Sequence, residues 1–222
     1  MSIGANFRKG MSLCKRLFIK IRRVIVTNPL IRVKGFYWRY SISNKDFSVI
    51  CNNCLGGMVL HELGMAFNSP FVNLYIIAED YILLLENLDY FLKEKIEDIT
   101  PPSGEYPVGL LGRKITLHFL HYKTFKEAQA CWERRCKRIR KDNLYIIMTE
   151  RDGCTSEHIM RFDRLPYKHK IIFVSLPSEE NKFHYYIKGF ENEHEVDIRK
   201  ENPITGLPLW FDIYWPAFFN QK

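Results

Sequence analysis

From residue 47 onward the chain switches repeatedly between two patterns: short runs that are apolar almost throughout, and longer segments whose apolar positions recur every three or four residues. Phe47–Cys51, Leu144–Met148 and Lys170–Ser175 read as buried strands, while Ile82, Leu85, Leu88, Phe91 and Leu92 hold a helical period. This alternation predicts an α/β fold, a single mixed or mostly parallel sheet flanked by helices. Punctuation supports it. Ser69-Pro70 opens an extended run over Phe71–Ile77, and Asp80 is placed to cap the helix that follows, which Pro101-Pro102-Ser103-Gly104 stops. Gly112-Arg113 joins Val108–Leu111 and Lys114–Phe119 as a hairpin. The Thr124…Glu127 capping box opens a helix that carries Phe125, Ala128, Trp132, Arg135 or Cys136, and Ile139 inward and ends at Asn143. A short helix is expected over Glu157–Phe162, and the aromatic tail Leu207–Phe219 reads as an edge element or lid.

With 222 residues, 46% of them hydrophobic and 26% charged, the chain has the makings of one globular core. Its net charge of +8 is unevenly placed. Residues 1–45 hold eleven Lys and Arg and no Asp or Glu, so the remaining residues sit near −3. We therefore divide the chain into a basic arm, 1–44, and an α/β domain, 45–222. Within the arm, Leu13, Leu17, Ile21, Val24 and Ile25 recur at three and four with cations between them, which predicts a basic amphipathic helix over residues 11–26, ended by Asn28-Pro29. Such a helix either lies on an anionic membrane surface, or packs on the protein's own core or frays. Basic charge confined to an arm argues against nucleic acid as a partner. No apolar run approaches the ~20 residues of a membrane span, and the cations among the first residues break up any leader-like stretch. These features suit a cytoplasmic protein, peripheral to the inner face of the plasma membrane if the arm binds lipid.

Six scattered cysteines suit a reducing compartment and free thiols. Cys51 and Cys54 form a C-x-x-C pair, but no second pair stands at a spacing that would complete a zinc site. Neither a dinucleotide-binding nor a P-loop glycine pattern occurs, and no D-x-D sugar-nucleotide motif, so no metal and no cofactor is expected.

Four blocks carry a family resemblance: Phe47-Ser-Val-Ile-Cys-Asn-Asn-Cys-Leu-Gly-Gly57; Leu63-Gly64 with Phe67-Asn-Ser-Pro-Phe71; His121–Ala128 with Trp132-Glu-Arg-Arg135 and Asp142-Asn143; and Arg151-Asp-Gly-Cys-Thr155 with Arg161-Phe-Asp163 and Leu165-Pro-Tyr167. Over roughly residues 45 to 215 the chain resembles a bacterial domain-of-unknown-function family whose members are commonly labelled exopolysaccharide biosynthesis proteins. The resemblance implies a setting in capsule or exopolysaccharide assembly and no particular reaction. The first block is also similar to a family regarded as papain-like cysteine peptidases, in which Cys54 takes the place of the cysteine. Cys51 departs from that family's small or hydroxylated residue.

Cys54 falls at a strand-to-helix turn, where helix N–H groups stabilise a thiolate or an oxyanion. A nucleophile needs a base and a group to orient that base. His121 closes a strand just before a helix and Asp152 follows another strand, and in a parallel sheet such loops gather over one edge. The expected catalytic set is therefore Cys54, His121 and Asp152, with His61 as the second-ranked base and His118 as a strand residue. The bland alternative makes Cys54 a small buried residue, His121 a loop hydrogen-bonder and Asp152 a turn former. Asn52, Asn53, Gly56 and Gly57 read as a left-handed turn able to bind sugar hydroxyls. Arg135 and Arg138 lie on a basic helix face that is either solvated or a surface for an anionic, lipid-linked saccharide. The function expected is thiol-dependent acyl transfer to a surface saccharide. A non-catalytic saccharide-binding or assembly accessory, and an atypical metal-independent glycosyltransferase, stand as alternatives.

Overall fold

The computed structural model describes residues 13–178, 181–193 and 195–221. It opens with a long helix in three parts: α1 (Leu13–Arg22), a π-helical turn (Arg23–Thr27) and α2 (Asn28–Ser41). Asn28-Pro29 does not end this helix, contrary to the sequence reading. Pro29 sits in the first turn of α2, and the wider π turn before it accommodates a ring and a missing N–H that a regular α-helix would not.

The body follows as β1 (Ser48–Cys51), α3 (Leu55–Glu62), α4 (Ala78–Glu86), α5 (Leu88–Phe91), β2 (Ile96–Asp98), β3 (Val108–Leu111), β4 (Ile115–His118), α6 (Phe125–Cys136), β5 (Leu144–Thr149), α7 (Ser156–Arg164), β6 (His169–Val174), β7 (His184–Tyr186) and α8 (Trp215–Phe219). The main sheet has the order β1-β5-β6-β7 and is parallel throughout. The hairpin does not join it. β2, β3 and β4 form a separate antiparallel sheet, turned at Gly112 and Arg113, both with positive φ.

Strand alternation divides the core in two. Ile50, Ile146, Met148, Ile172 and Val174 face α4, α6, α7 and the small sheet. Val49, Cys51, Tyr145, Ile147 and Phe173 face α3, the inner side of α2 and the tail. The tail is thus neither edge nor lid: Trp210, Phe211, Trp215, Phe218 and Phe219 are all buried, and they close the second face of the sheet. α2 belongs to that same layer, with Trp38 2% exposed and stacked on Phe211 at 5.1 Å.

Other boundaries shift for local reasons. Asp80 does not cap α4, whose N-cap is Ile77; its carboxylate accepts from Thr116 N–H instead and ties α4 to β4. Asn87 breaks the expected single helix into α4 and α5. α6 ends at Cys136 rather than Asn143. Of the run Phe71–Ile77, only Tyr75 pairs as extended chain, bridging to His118.

Candidate functional site

The site is assembled where β1 and β5 end. Beyond β1 the chain continues through Asn52, whose side-chain amide donates to Thr149 O and accepts from Thr149 N, extending the pairing of the two strands by one side chain. Asn52 is fully buried, so it is a structural clamp and not the sugar-binding residue expected. Asn53 accepts from Leu55 N–H in a tight turn and lines the cleft described below. Cys54 is the N-cap of α3.

The glycines after it serve packing. Gly56 and Gly57 lie within α3 and not in a left-handed turn. A Cβ on Gly56 would stand 2.8 Å from Cys51 Cβ, and one on Gly57 1.8 Å from Asn73 Oδ1. Their role is the close approach of α3 to β1 and to the Asn73 turn, not contact with a ligand.

His121 arrives from the other sheet. Tyr75 and His118 exchange backbone hydrogen bonds, which fastens the end of β4 beside the segment whose Ile76 N–H donates to Asn52 O. Three residues past β4, His121 Nε2 lies 3.2 Å from Cys54 Sγ. With the proton on Nδ1, the thiol can donate to Nε2, the geometry a cysteine–histidine pair requires. Burial pushes the Cys54 thiol above its ordinary value, and the nearby Arg199 charge pulls it partway back. The low-pKa thiolate expected from the helix terminus is therefore not found. The backbone N–H groups of Asn53, Gly56 and Asn52 point at Cys51 instead, where burial overrides them and pushes that thiol up to about 12.

Cys54 opens on a cleft of about 310 Å³ walled by Asn53, Tyr75, Tyr106, Arg151, Asp152 and Arg199. Asp152 stands in this wall with φ +58, but its carboxylate accepts from Arg151 Nε at 2.8 Å and does not bond His121. It orients Arg151, not the base. Among the described residues Cys54 is the hydrogen-bond partner of His121, so the unit is a dyad. Arg199 pairs with Asp197 at 3.0 Å, and Arg151 approaches the same carboxylate at 3.7 Å, so two guanidinium groups are braced along one wall. His118 packs against both tyrosines, with ring centroids 5.0 and 5.9 Å away, and so holds the opposite wall.

The remaining candidates lie elsewhere. Arg135 donates to Val72 O and Tyr122 Oη and covers the Phe67 ring, a structural role. Arg138 is exposed in the turn after α6, outside the cleft lining. His61 is on the solvent side of α3 beside Glu62. Sequence reading missed Tyr75, Tyr106, Arg151 and Arg199. Arg151 adjoins Asp152 and could have been found from it; Arg199 is brought in by the loop after β7 and left no local signal. A larger cavity of about 610 Å³, lined by Leu92, Trp132 and Cys136 among others, lies apart from the Cys54–His121 pair. No group of three or more His, Cys, Asp or Glu among the described residues could hold a metal ion, and the five described cysteines for which pairing is defined are free.

The model of a domain of unknown function, DUF1919, matches residues 26–206. An uncharacterized protein of Haemophilus influenzae is 43% identical over 181 residues, covering 81% of this chain and 87% of that one. The match begins inside the π turn, so α2, which buries Trp38 against the body, lies within it. With the greater part of its length matched, the chain belongs to the DUF1919 family.

Proposed function

We propose that the protein is a cysteine-dependent acyltransferase that modifies a surface saccharide during exopolysaccharide or capsule assembly, on the cytoplasmic side of the plasma membrane. The observation that carries the reaction class is the 3.2 Å approach of Cys54 Sγ to His121 Nε2 at the mouth of a cleft. His121 takes the thiol proton as Sγ attacks the acyl carbonyl of the donor. The donor's leaving group departs with that proton and a thioester remains on Cys54. The saccharide hydroxyl then gives its proton to His121 as it attacks the thioester, and collapse returns electron pair and proton to Sγ.

The cleft walls suit the acceptor. Tyr75 and Tyr106 offer aromatic faces to the apolar side of a sugar ring, while Asn53, Arg151 and Asp152 offer polar groups to its hydroxyls. Arg199 and Arg151 take the place assigned to Arg135 and Arg138 as the forks for an anionic, lipid-linked saccharide. The biological setting rests on the four sequence blocks and their resemblance to proteins labelled for exopolysaccharide biosynthesis.

The test is to compare surface polysaccharide from a deletion strain, and from that strain carrying wild-type or Cys54→Ala protein, by mass spectrometry and NMR. The expected result is loss of an acyl group that the wild-type gene restores and Cys54→Ala does not. Full restoration by Cys54→Ala overturns the thiol mechanism and makes the cleft the binding site of an accessory protein. Loss of a sugar in place of an acyl group points to a glycosyltransferase.

A further inference from the structure

The long N-terminal helix is amphipathic in an unusual sense: its polar contacts are made inward. Arg22 donates to Pro203 O and Glu201, Thr27 to Thr205 O, Lys34 to Phe211 O, and Arg39 to Glu62 O. Together with Trp38 these contacts fix the rotation of the helix against the body. The face left outward is apolar. Phe18, Ile21, Ile25, Pro29, Val33, Phe36 and Tyr40 follow one another at steps of three or four, all exposed, with Val33 67%, Phe36 73% and Tyr40 87% accessible. Leu17, Val24 and Tyr37 widen this stripe. Successive steps of four drift around a 3.6-residue helix, and the π turn at Arg23–Thr27 unwinds that drift, so the stripe stays on one side through both halves.

We propose that this stripe, from Leu17 to Tyr40, is a docking surface for an anionic lipid membrane. An apolar face of this extent on a globular protein marks an interaction site. Charge selects the occupant. Residues 1–45 contain eleven cations and no acid; Lys20 and Arg32 are exposed alongside the stripe, as is Arg23, which Glu201 approaches at 3.6 Å. A second copy docked through the same face would set like charge against like charge. An anionic bilayer supplies both requirements, hydrocarbon for the stripe and negative headgroups for the cations. The aromatic end at Phe36, Tyr37 and Tyr40 matches the headgroup region, where such rings gather. No described helix is long and apolar enough to cross a membrane, so this helix lies in the plane of the surface. The site differs from the 11–26 segment expected from sequence: half of it lies in α2, held rigidly to the body. The inference does not depend on the chemistry of Cys54.

Sedimentation of the full-length protein with phosphatidylcholine vesicles, with and without phosphatidylglycerol, tests it. The expected result is co-sedimentation with the anionic vesicles, weakened about tenfold or more by Val33→Asp with Phe36→Asp, and about fivefold for each of Lys20→Gln and Arg32→Gln. These side chains are exposed, so thermal melting of the variants is expected to match wild type. Pelleting that is absent, equal on neutral vesicles, or unchanged in the Val33 and Phe36 variant overturns the proposal. So does a dimer, seen by sedimentation velocity, that Phe36→Asp dissociates while vesicle binding is absent; the stripe would then belong to a second copy.

Discussion

At the scale of single residues, the proposed chemistry rests on a neutral thiol and its base. Burial raises Cys54, so the thiol stays protonated near neutral pH, and in the proposed mechanism His121 ionises it in place. His121→Ala is therefore expected to lower turnover by about 10²- to 10⁴-fold and to slow iodoacetamide alkylation of Cys54 at neutral pH. Both losses should shrink as pH rises toward the raised thiol value. An alkylation rate at neutral pH equal to wild type in His121→Ala would show that the imidazole does not act on the sulfur. Asn52 illustrates how one residue type can mislead. An asparagine beside a candidate nucleophile looks like a ligand-binding group, yet its amide has the donor and acceptor needed to continue the β1–β5 pairing past the last strand residue, and that is where it is bound.

At the scale of elements, the N-terminal helix does two things with two faces. Its inner face completes the second core layer through Trp38, which is 2% exposed and stacked on Phe211. Trp38→Ala is expected to cost about 3–5 kcal/mol in chemical denaturation, because the cavity would open between α2 and the aromatic tail. Substitution of outward residues such as Phe36 should leave that midpoint unmoved. A small effect of Trp38→Ala would mean that the helix is an appendage to a body stable without it. The small antiparallel sheet has a corresponding local role. By pairing Tyr75 with His118 it fixes where β4 ends, and so where His121 stands relative to Cys54.

At the scale of the whole molecule, burial of thiols gives stability a pH dependence. Cys51 and Cys154 are pushed up to about 12, and Cys136 to about 11, in each case first by burial. The folded-state values lie above the ordinary thiol value of 9.0, so the fold favours the neutral form. That contribution is complete below the unfolded value and is lost as pH rises through the folded ones. Melting temperature is thus expected to fall between about pH 9 and 12, with a shallower fall in Cys51→Ala; equal slopes would show that Cys51 does not titrate on unfolding. The α/β class, the three main strands, the hairpin, the Thr124 cap and the basic N-terminal helix were all legible in the chain, because each rests on a period or a capping pattern confined to neighbouring residues. Cys54 could also be singled out from its place at a strand-to-helix turn; His121 is named as well, but on the expectation that it follows a strand of the parallel sheet, whereas it follows β4 of the separate antiparallel one. What only the tertiary structure decided is which long-range partners these groups meet. Asp152 is bonded to Arg151 and Arg199 is brought to the thiol from a distant loop, while Gly56 and Gly57 are close-packed against β1 and Asn73. The hairpin strands form their own sheet, and Pro29 continues a helix through a π turn. Local periodicity encodes which way a side chain faces; it does not encode what stands opposite, because that partner is set by packing across tens or hundreds of residues.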